Sequence, residues 1–130
     1  MIDVINLERI EIAGGWLIDV LSKHMLDKTT FGQITVCAIG PEFVRGNHYH
    51  KIKTERICIL QGSGKIVYED IKTKERGEVT INEGKHSLIK IPPKIAHAIV
   101  NSGKSFMIAL IYLDEPYDKD NPDEYIYKLV

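Results

Sequence analysis

The sequence predicts an all-β domain, a sandwich or a barrel, on three observations. Short β-rich runs recur along the chain, turn-forming residues separate them at close intervals, and no stretch keeps the 3.6-residue period of a long amphipathic helix. In chain order the runs are GQITVCAIG, ERICILQG, KIVYED, GEVTI, SLIKI, HAIVN and FMIALIYL. Each is rich in β-branched or aromatic residues and is bounded by Gly, Pro, Asn or Lys/Glu clusters. ICIL and MIALIYL are apolar on both faces, the pattern of central strands covered on both sides, and such strands also suit a dimer that packs sheet on sheet. YEDIKTKERGEV reads as a hairpin with a charged, solvated tip ending at Gly77. DEPYDKDNPDEY carries two prolines and many acidic residues, so the segment from about 114–130 is expected to leave the sheet as an irregular acidic tail.

A chain of 130 residues fits one domain, 1–130, able to bury roughly two thirds of its unfolded surface. Lys and Arg number 17 against 18 for Asp and Glu, a formal charge of -1. That balance gives no basic field for nucleic acid. The opening MIDVINLERIEIAGGW has acidic residues where a signal peptide needs a basic and then an apolar region, and no later run has the length of a membrane span. The expectation is a soluble, cytoplasmic protein without membrane or nucleic-acid partners. Cys37 and Cys58 lie in apolar runs, which suits buried, reduced thiols better than a disulfide.

The stretch RGNHYHKIKTERICILQG, Arg45 to Gly62, holds the densest chemistry. On an extended strand His48 and His50 point to the same face, roughly 7 Å apart along the backbone. Glu55 follows after KIKT, long enough to turn a corner, so a carboxylate can meet the two imidazoles from a neighbouring strand. His97 opens another strand after a proline-set turn in IPPKIAHAIVN and can add a fourth ligand. Three imidazoles and a carboxylate suit a divalent Zn, Fe, Ni, Mn or Co ion; two histidines with one carboxylate also make the facial triad of non-haem iron. His24 and His86, isolated in the sequence, are read as surface or hydrogen-bonded residues.

The spacing of His48, His50, Glu55 and Gly62 resembles the first cupin motif, and Pro92, His97 and Asn101 resemble the second. The resemblance implies a single-domain cupin jelly roll, a double-stranded β-helix barrel, with the site in the barrel mouth. Two positions depart from the family pattern: Glu42 and Lys94 stand where glycines are expected. Neither supplies a ligand. A narrower resemblance joins RGNH, Ala96-His97 and IYLDEPY to nucleotide-sugar 3,5-epimerases of the dTDP-4-dehydrorhamnose type. It implies His48 as base, Tyr112 as acid and Arg45 as the residue that binds the nucleotide-linked sugar, with Tyr117 and Asn101 as further substrate-binding candidates. The tail DEPYDKDNPDEYIY is similar to the C-terminal cupin domain of capsular polysaccharide enzymes acting on UDP-linked keto sugars, a group that carries the metal set.

The chemistry implied is removal of a proton next to a ketone by an imidazole, with a metal or a cation stabilising the enolate. A tyrosine on the opposite face would return the proton, and the guanidinium fork of Arg45 would grip a diphosphate. His48 cannot serve as metal ligand and free base at once. The reading is an epimerase or isomerase of a nucleotide-linked 4-keto deoxysugar, with a small-molecule substrate and a homodimeric state. A non-haem iron dioxygenase, a noncatalytic sugar-binding or sensor cupin, and a 3,4-ketoisomerase are the competing classes.

Overall fold

The computed structural model describes residues 1–26 and 31–130. Its strands are β1 (Asp3–Asn6), β2 (Ile10–Ile12), β3 (Gly15–Leu17), β4 (Gln33–Ile39), β5 (Val44–Tyr49), β6 (Glu55–Gln61), β7 (Gly64–Asp70), β8 (Arg76–Ile81), β9 (Ser87–Ile91), β10 (Ile95–Asn101), β11 (Met107–Leu113) and β12 (Tyr125–Ile126). Among the described residues the one helical element is a 3-10 turn, Lys23–Leu26. Two five-stranded antiparallel sheets, ordered β1-β9-β6-β11-β4 and β12-β5-β10-β7-β8, face each other; β2 and β3 form a separate hairpin. This is the jelly roll of the cupins, as the sequence led us to expect.

The core lies between the sheets. Ile57, Ile59, Ile89, Ile91 and Met107 from the first sheet meet Ile66, Ile81, Ile95 and Ile99 from the second, all buried. Each strand supplies alternate residues, so period-two patterning sets which side chains enter the barrel. β6 and β10 are buried on both faces. On β10, His97 and Ile99 point inward, while Ala96 and Ala98 point out and are covered by Leu129 and the half-buried Tyr127 of the tail. The chain thus provides part of the outer cover that its two-sided apolar strands require. That removes one ground for inferring a dimer from them.

The hairpin at Gly77 forms as β7 and β8, paired from Gly64↔Ile81 to Glu69↔Arg76. The tail departs from the expected irregular course. Tyr125 and Ile126 pair with Tyr49 and His48 as β12, and Asn47 Oδ1 accepts from the Leu129 and Val130 N–H groups. The acidic composition hid an edge strand whose partners lie some 75 residues earlier.

Glu42 and Lys94 take φ values of 70° and 69°. Both non-glycines adopt the left-handed conformation the family motif reserves for glycine, at roughly 1–2 kcal/mol each. At Lys94 the turn is anchored: its N–H donates to the His50 carbonyl at 2.7 Å, and its carbonyl accepts from Ile71 N–H.

Candidate functional site

The four ligand candidates converge. One donor atom from each of His48, His50, Glu55 and His97 lies within 4.8 Å of the others. His48 and His50 share a face of β5, Glu55 begins β6 and His97 sits on β10 directly opposite His48. The imidazole centroids are 4.9 to 5.8 Å apart.

Each imidazole is held through its far nitrogen. His50 Nδ1 lies 2.7 Å from the Asp123 carbonyl, His97 Nδ1 3.2 Å from the Ile95 carbonyl, and His48 Nδ1 3.1 Å from Glu124 Oε1. Donation from Nδ1–H to these oxygens leaves Nε2 as a lone pair aimed at the cluster, the arrangement that orients metal-binding histidines. Asp123 is itself locked, its carboxylate accepting from the N–H groups of Lys51, Ile52 and Lys53. The sequence reading missed Asp123 and Glu124, which lie in the tail. Nothing local marks them, because their role exists only once β12 docks on β5.

The inward atoms have no hydrogen-bond partner: His50 Nε2, His97 Nε2 and Glu55 Oε2 are buried and unsatisfied. Glu55 Oε2 sits against His97 Nε2 and 3.7 Å from His50 Nε2. Acceptors that face one another in a dry pocket without a donor need a positive charge between them, a proton or a metal ion. Three nitrogens and one oxygen fit a divalent cation of the borderline series. Such an ion would supply Lewis acidity and positive charge to a developing enolate.

The electrostatics separate His48 from the rest. Burial, followed by the neighbouring His97, lowers its pKa to about 4, so the ring is neutral at pH 7. For His50, burial opposes the charged form, but the nearby Glu55 carboxylate and the Asp123 carbonyl outweigh it and the pKa is raised. Burial likewise opposes ionised Glu55, yet His97 and His50 hold its carboxyl well below the usual carboxylate range. His48 is also the most accessible of the four side chains, 19% exposed against 2% for His97.

The pocket above the cluster has a volume of about 370 Å³. His48, Glu55 and His97 form its floor; Thr35 and Cys37 of β4 form one wall and Arg45 stands at its mouth. Arg45 reaches this pocket through a bulge. Strict alternation would put residues 45 and 48 on opposite faces. Instead Ala98 pairs with Gly46 and His97 with His48, leaving Asn47 as the extra residue, with φ of 104° at Gly46 and 57° at Asn47. The extra residue resets the parity, so Arg45 and His48 face inward together. A Cβ on Gly46 would lie 2.7 Å from the His97 carbonyl oxygen, so only glycine fits there.

The remaining candidates are not brought to the pocket. Ile111 and Leu113 line it, so Tyr112 between them faces the outside of its sheet, buried beside Phe31 and the Arg56 guanidinium. Tyr117 is 56% exposed, its N–H bound to Gln33 Oε1. Asn101 is buried near the far end of β10, donating to the Ile39 and Ser105 carbonyls and accepting from Gly103 N–H. His24 and His86 lie away from the cluster, His86 against Trp16 and the Leu60 carbonyl. Cys37 and Cys58 are free thiols, and burial pushes Cys58 up to about 11.

Fold and pocket together define a cupin with a histidine-carboxylate centre. The chain belongs to the polysaccharide biosynthesis C-terminal domain family, whose sequence model matches residues 15–125. It is 31% identical over 102 residues to the UDP-2-acetamido-2,6-beta-L-arabino-hexul-4-ose reductase of Pseudomonas aeruginosa, covering 78% of this chain and 27% of that protein. The capsular polysaccharide assembling protein CapF of Staphylococcus aureus superposes with a TM-score of 0.73 at 28% identity, over 78% of this chain and 27% of CapF. A dTDP sugar isomerase of Desulfovibrio desulfuricans G20 superposes with a TM-score of 0.86 over 98% of this chain and 83% of its own, at 19% identity, a likeness of fold alone. The chain spans about a quarter of the length of the reductase and of CapF. Among its described residues no helix is long and apolar enough to cross a membrane.

Proposed function

We propose that the chain is a metal-assisted epimerase or isomerase of a nucleotide-linked keto sugar, acting by proton abstraction next to the ketone. The observation that carries this reading is the division of labour inside the quartet. His50, Glu55 and His97 are buried and leave three inward acceptors without a donor, a complete set for a divalent ion without His48. His48 is neutral, half-buried and braced by Glu124, so its Nε2 lone pair is open to the pocket. Of the two roles open to His48, ligand and base, this reading assigns it the base.

In this reading Arg45 grips the diphosphate with its planar fork and holds the sugar ring over His48. His48 Nε2 takes the proton from the carbon next to the ketone, and the electron pair left behind moves onto the ketone oxygen as an enolate. The His48 imidazolium, stabilised by the Glu124 carboxylate at Nδ1, can return that proton to the former ketone carbon while the hydroxyl proton on the deprotonated carbon passes to the enolate oxygen, which moves the ketone. Alternatively the opposite face is protonated from the Thr35 and Cys37 wall, which inverts the carbon. Among the described residues no tyrosine lines the pocket, so the acid expected of Tyr112 has to come from elsewhere. A relative supports the substrate class: the Pseudomonas reductase is named for a UDP-linked keto sugar.

Two free thiols, one of them fully buried, suit a reducing compartment, and we place the protein in the cytoplasm. A second copy would cover Ile34 and Val36, which are 51% and 60% exposed on the outer face of edge strand β4; sedimentation reading a monomer at micromolar concentration would end that homodimer.

Deuterium wash-in from heavy water, followed by NMR on dTDP- and UDP-linked 4-keto-6-deoxy sugars, tests the function. Exchange next to the ketone is expected from the metal-loaded protein and is lost on chelation and in His48→Asn. Absence of exchange with every sugar, with dioxygen uptake by the iron-loaded protein, would point to an oxygenase instead.

A further inference from the structure

Just before β5, the strand that carries Arg45 and His48, the chain forms one side of an aromatic cleft the proposed mechanism does not use. Phe43 is 69% and Phe106 56% exposed. Both rings lie beside Gly40: a Cβ there would lie 3.4 Å from Phe43 Cδ2 and 3.6 Å from Phe106 Cε1. The cleft they flank has a volume of about 430 Å³, with Ala38, Ile39, Val44 and Arg45 as its other walls. Among the described residues Arg45 alone lines both this cleft and the histidine pocket.

The cleft is built into the fold. Phe43 N–H donates to the Gly40 carbonyl, and the Phe43 carbonyl accepts from Asn101 N–H. Asn101 Nδ2 also donates to Ile39 and Ser105 carbonyls, the latter one residue before Phe106. One buried asparagine therefore fixes the backbone on both sides of the cleft. Asn101, expected at the substrate, instead positions the residues that would meet it. The left-handed turn at Glu42 delivers Phe43 to the rim.

We propose that this cleft is the nucleobase subsite: the base of a nucleoside diphosphate sugar stacks on Phe43 and Phe106, the diphosphate lies across Arg45, and the sugar reaches the histidine pocket. The inference rests on the nucleotide-sugar reading and extends it. Phe43, one residue before β5, precedes His48 by five residues, roughly 13–16 Å along the backbone with the bulge at Asn47 allowed for, a span that a base, ribose and diphosphate bridge when extended. Two phenyl faces give stacking without hydrogen-bond readout, so the subsite takes uracil and thymine alike.

The test is calorimetric titration of UDP, dTDP and inorganic pyrophosphate into the full chain and into Phe43→Ala, Phe106→Ala and the double variant. The double variant is expected to bind UDP and dTDP roughly 10- to 100-fold more weakly and to bind pyrophosphate unchanged. Arg45→Ala weakens all three ligands, and Phe43→Trp restores nucleotide binding. In bound UDP, the uracil H5 and H6 resonances shift upfield in the wild type and lose that shift in the double variant.

Unchanged UDP affinity in the double variant would overturn the subsite. So would an equal loss for pyrophosphate, which would mean the rings merely support Arg45. Altered self-association with intact nucleotide binding would assign the rings to a second copy and overturn it too. Wild-type deuterium exchange alongside such a result leaves the catalytic reading standing. A wild type that binds neither nucleotide and exchanges no sugar proton removes both.

Discussion

The two ends of the barrel use the same strands for opposite purposes. On β6 the inward residues run Glu55, Ile57, Ile59, and on β10 they run Ile95, His97, Ile99. At the closed end, alternation fills the space with isoleucine. At the mouth, the same alternation aims carboxylate and imidazole at one point, with inward acceptors that find no donor. The lower end stabilises the fold, and the upper end costs stability that only a cation between the acceptors offsets.

The sharpest way to break this contrast is His50→Ala. It removes a ligand at the mouth and leaves the isoleucine end intact, so bound metal and turnover are expected to vanish together, by more than about 100-fold. Metal analysis beside a thermal melt checks this, and turnover by a metal-free variant would defeat the metal-assisted reading. The reverse break is Ile57→Ala, at 0% exposure in the core. It is expected to cost about 2–5 kcal/mol in chemical denaturation, with metal stoichiometry unchanged in the folded fraction.

Glu124→Gln sharpens the contrast within the mouth. It keeps the fold and the buried ligands but loosens His48, so kcat is expected to fall roughly 10- to 100-fold while metal content holds. Acid also acts at the mouth. Folded His48 titrates at about 4, below its ordinary 6.5, so from pH 6.5 down to 4 the unfolded chain binds a proton the folded chain refuses. In metal-free protein this term lowers stability as pH falls, and the depressed Glu55 adds a loss below the ordinary carboxylate range. His50, raised, contributes the other way, its share present below 6.5 and lost as pH rises through its folded value. Denaturation midpoints at pH 7 and pH 5 give the sum; a higher midpoint at pH 5 would show that His50 dominates. The smallest effect is expected from Lys94→Gly, which relieves the left-handed strain at φ 69° against the entropy of glycine, for a net gain of about 0.5–1 kcal/mol.

The same two ends differ in how legible they were. The quartet could be read because His48 and His50 are two residues apart on a strand and the period of a strand is two. The isoleucine core could be read for the same reason. Tyr112 could not, since MIALIYL is apolar on both faces and carries no parity signal; its neighbours Ile111 and Leu113 took the pocket. Arg45 was drawn into the site only by resemblance, because counting along the strand puts it on the face opposite His48, and the Gly46-Asn47 pair that changes the count is a two-residue signal. Asp123 and Glu124 were hidden in an acidic tail, since their contacts to His50 and His48 cross more than seventy residues. The glycine departures at Glu42 and Lys94 turned out to change residue type without changing backbone.

The bulge at Asn47 has a consequence for how such a protein is altered by descent. Loss of that one codon would restore simple alternation through β5. Either Arg45 would then turn to the outside or the two histidines would, and no side-chain substitution nearby could bring them back together. Anchor and base are therefore held in common by the length of the strand, so a single in-frame deletion can separate recognition from chemistry while every residue that performs either is still encoded.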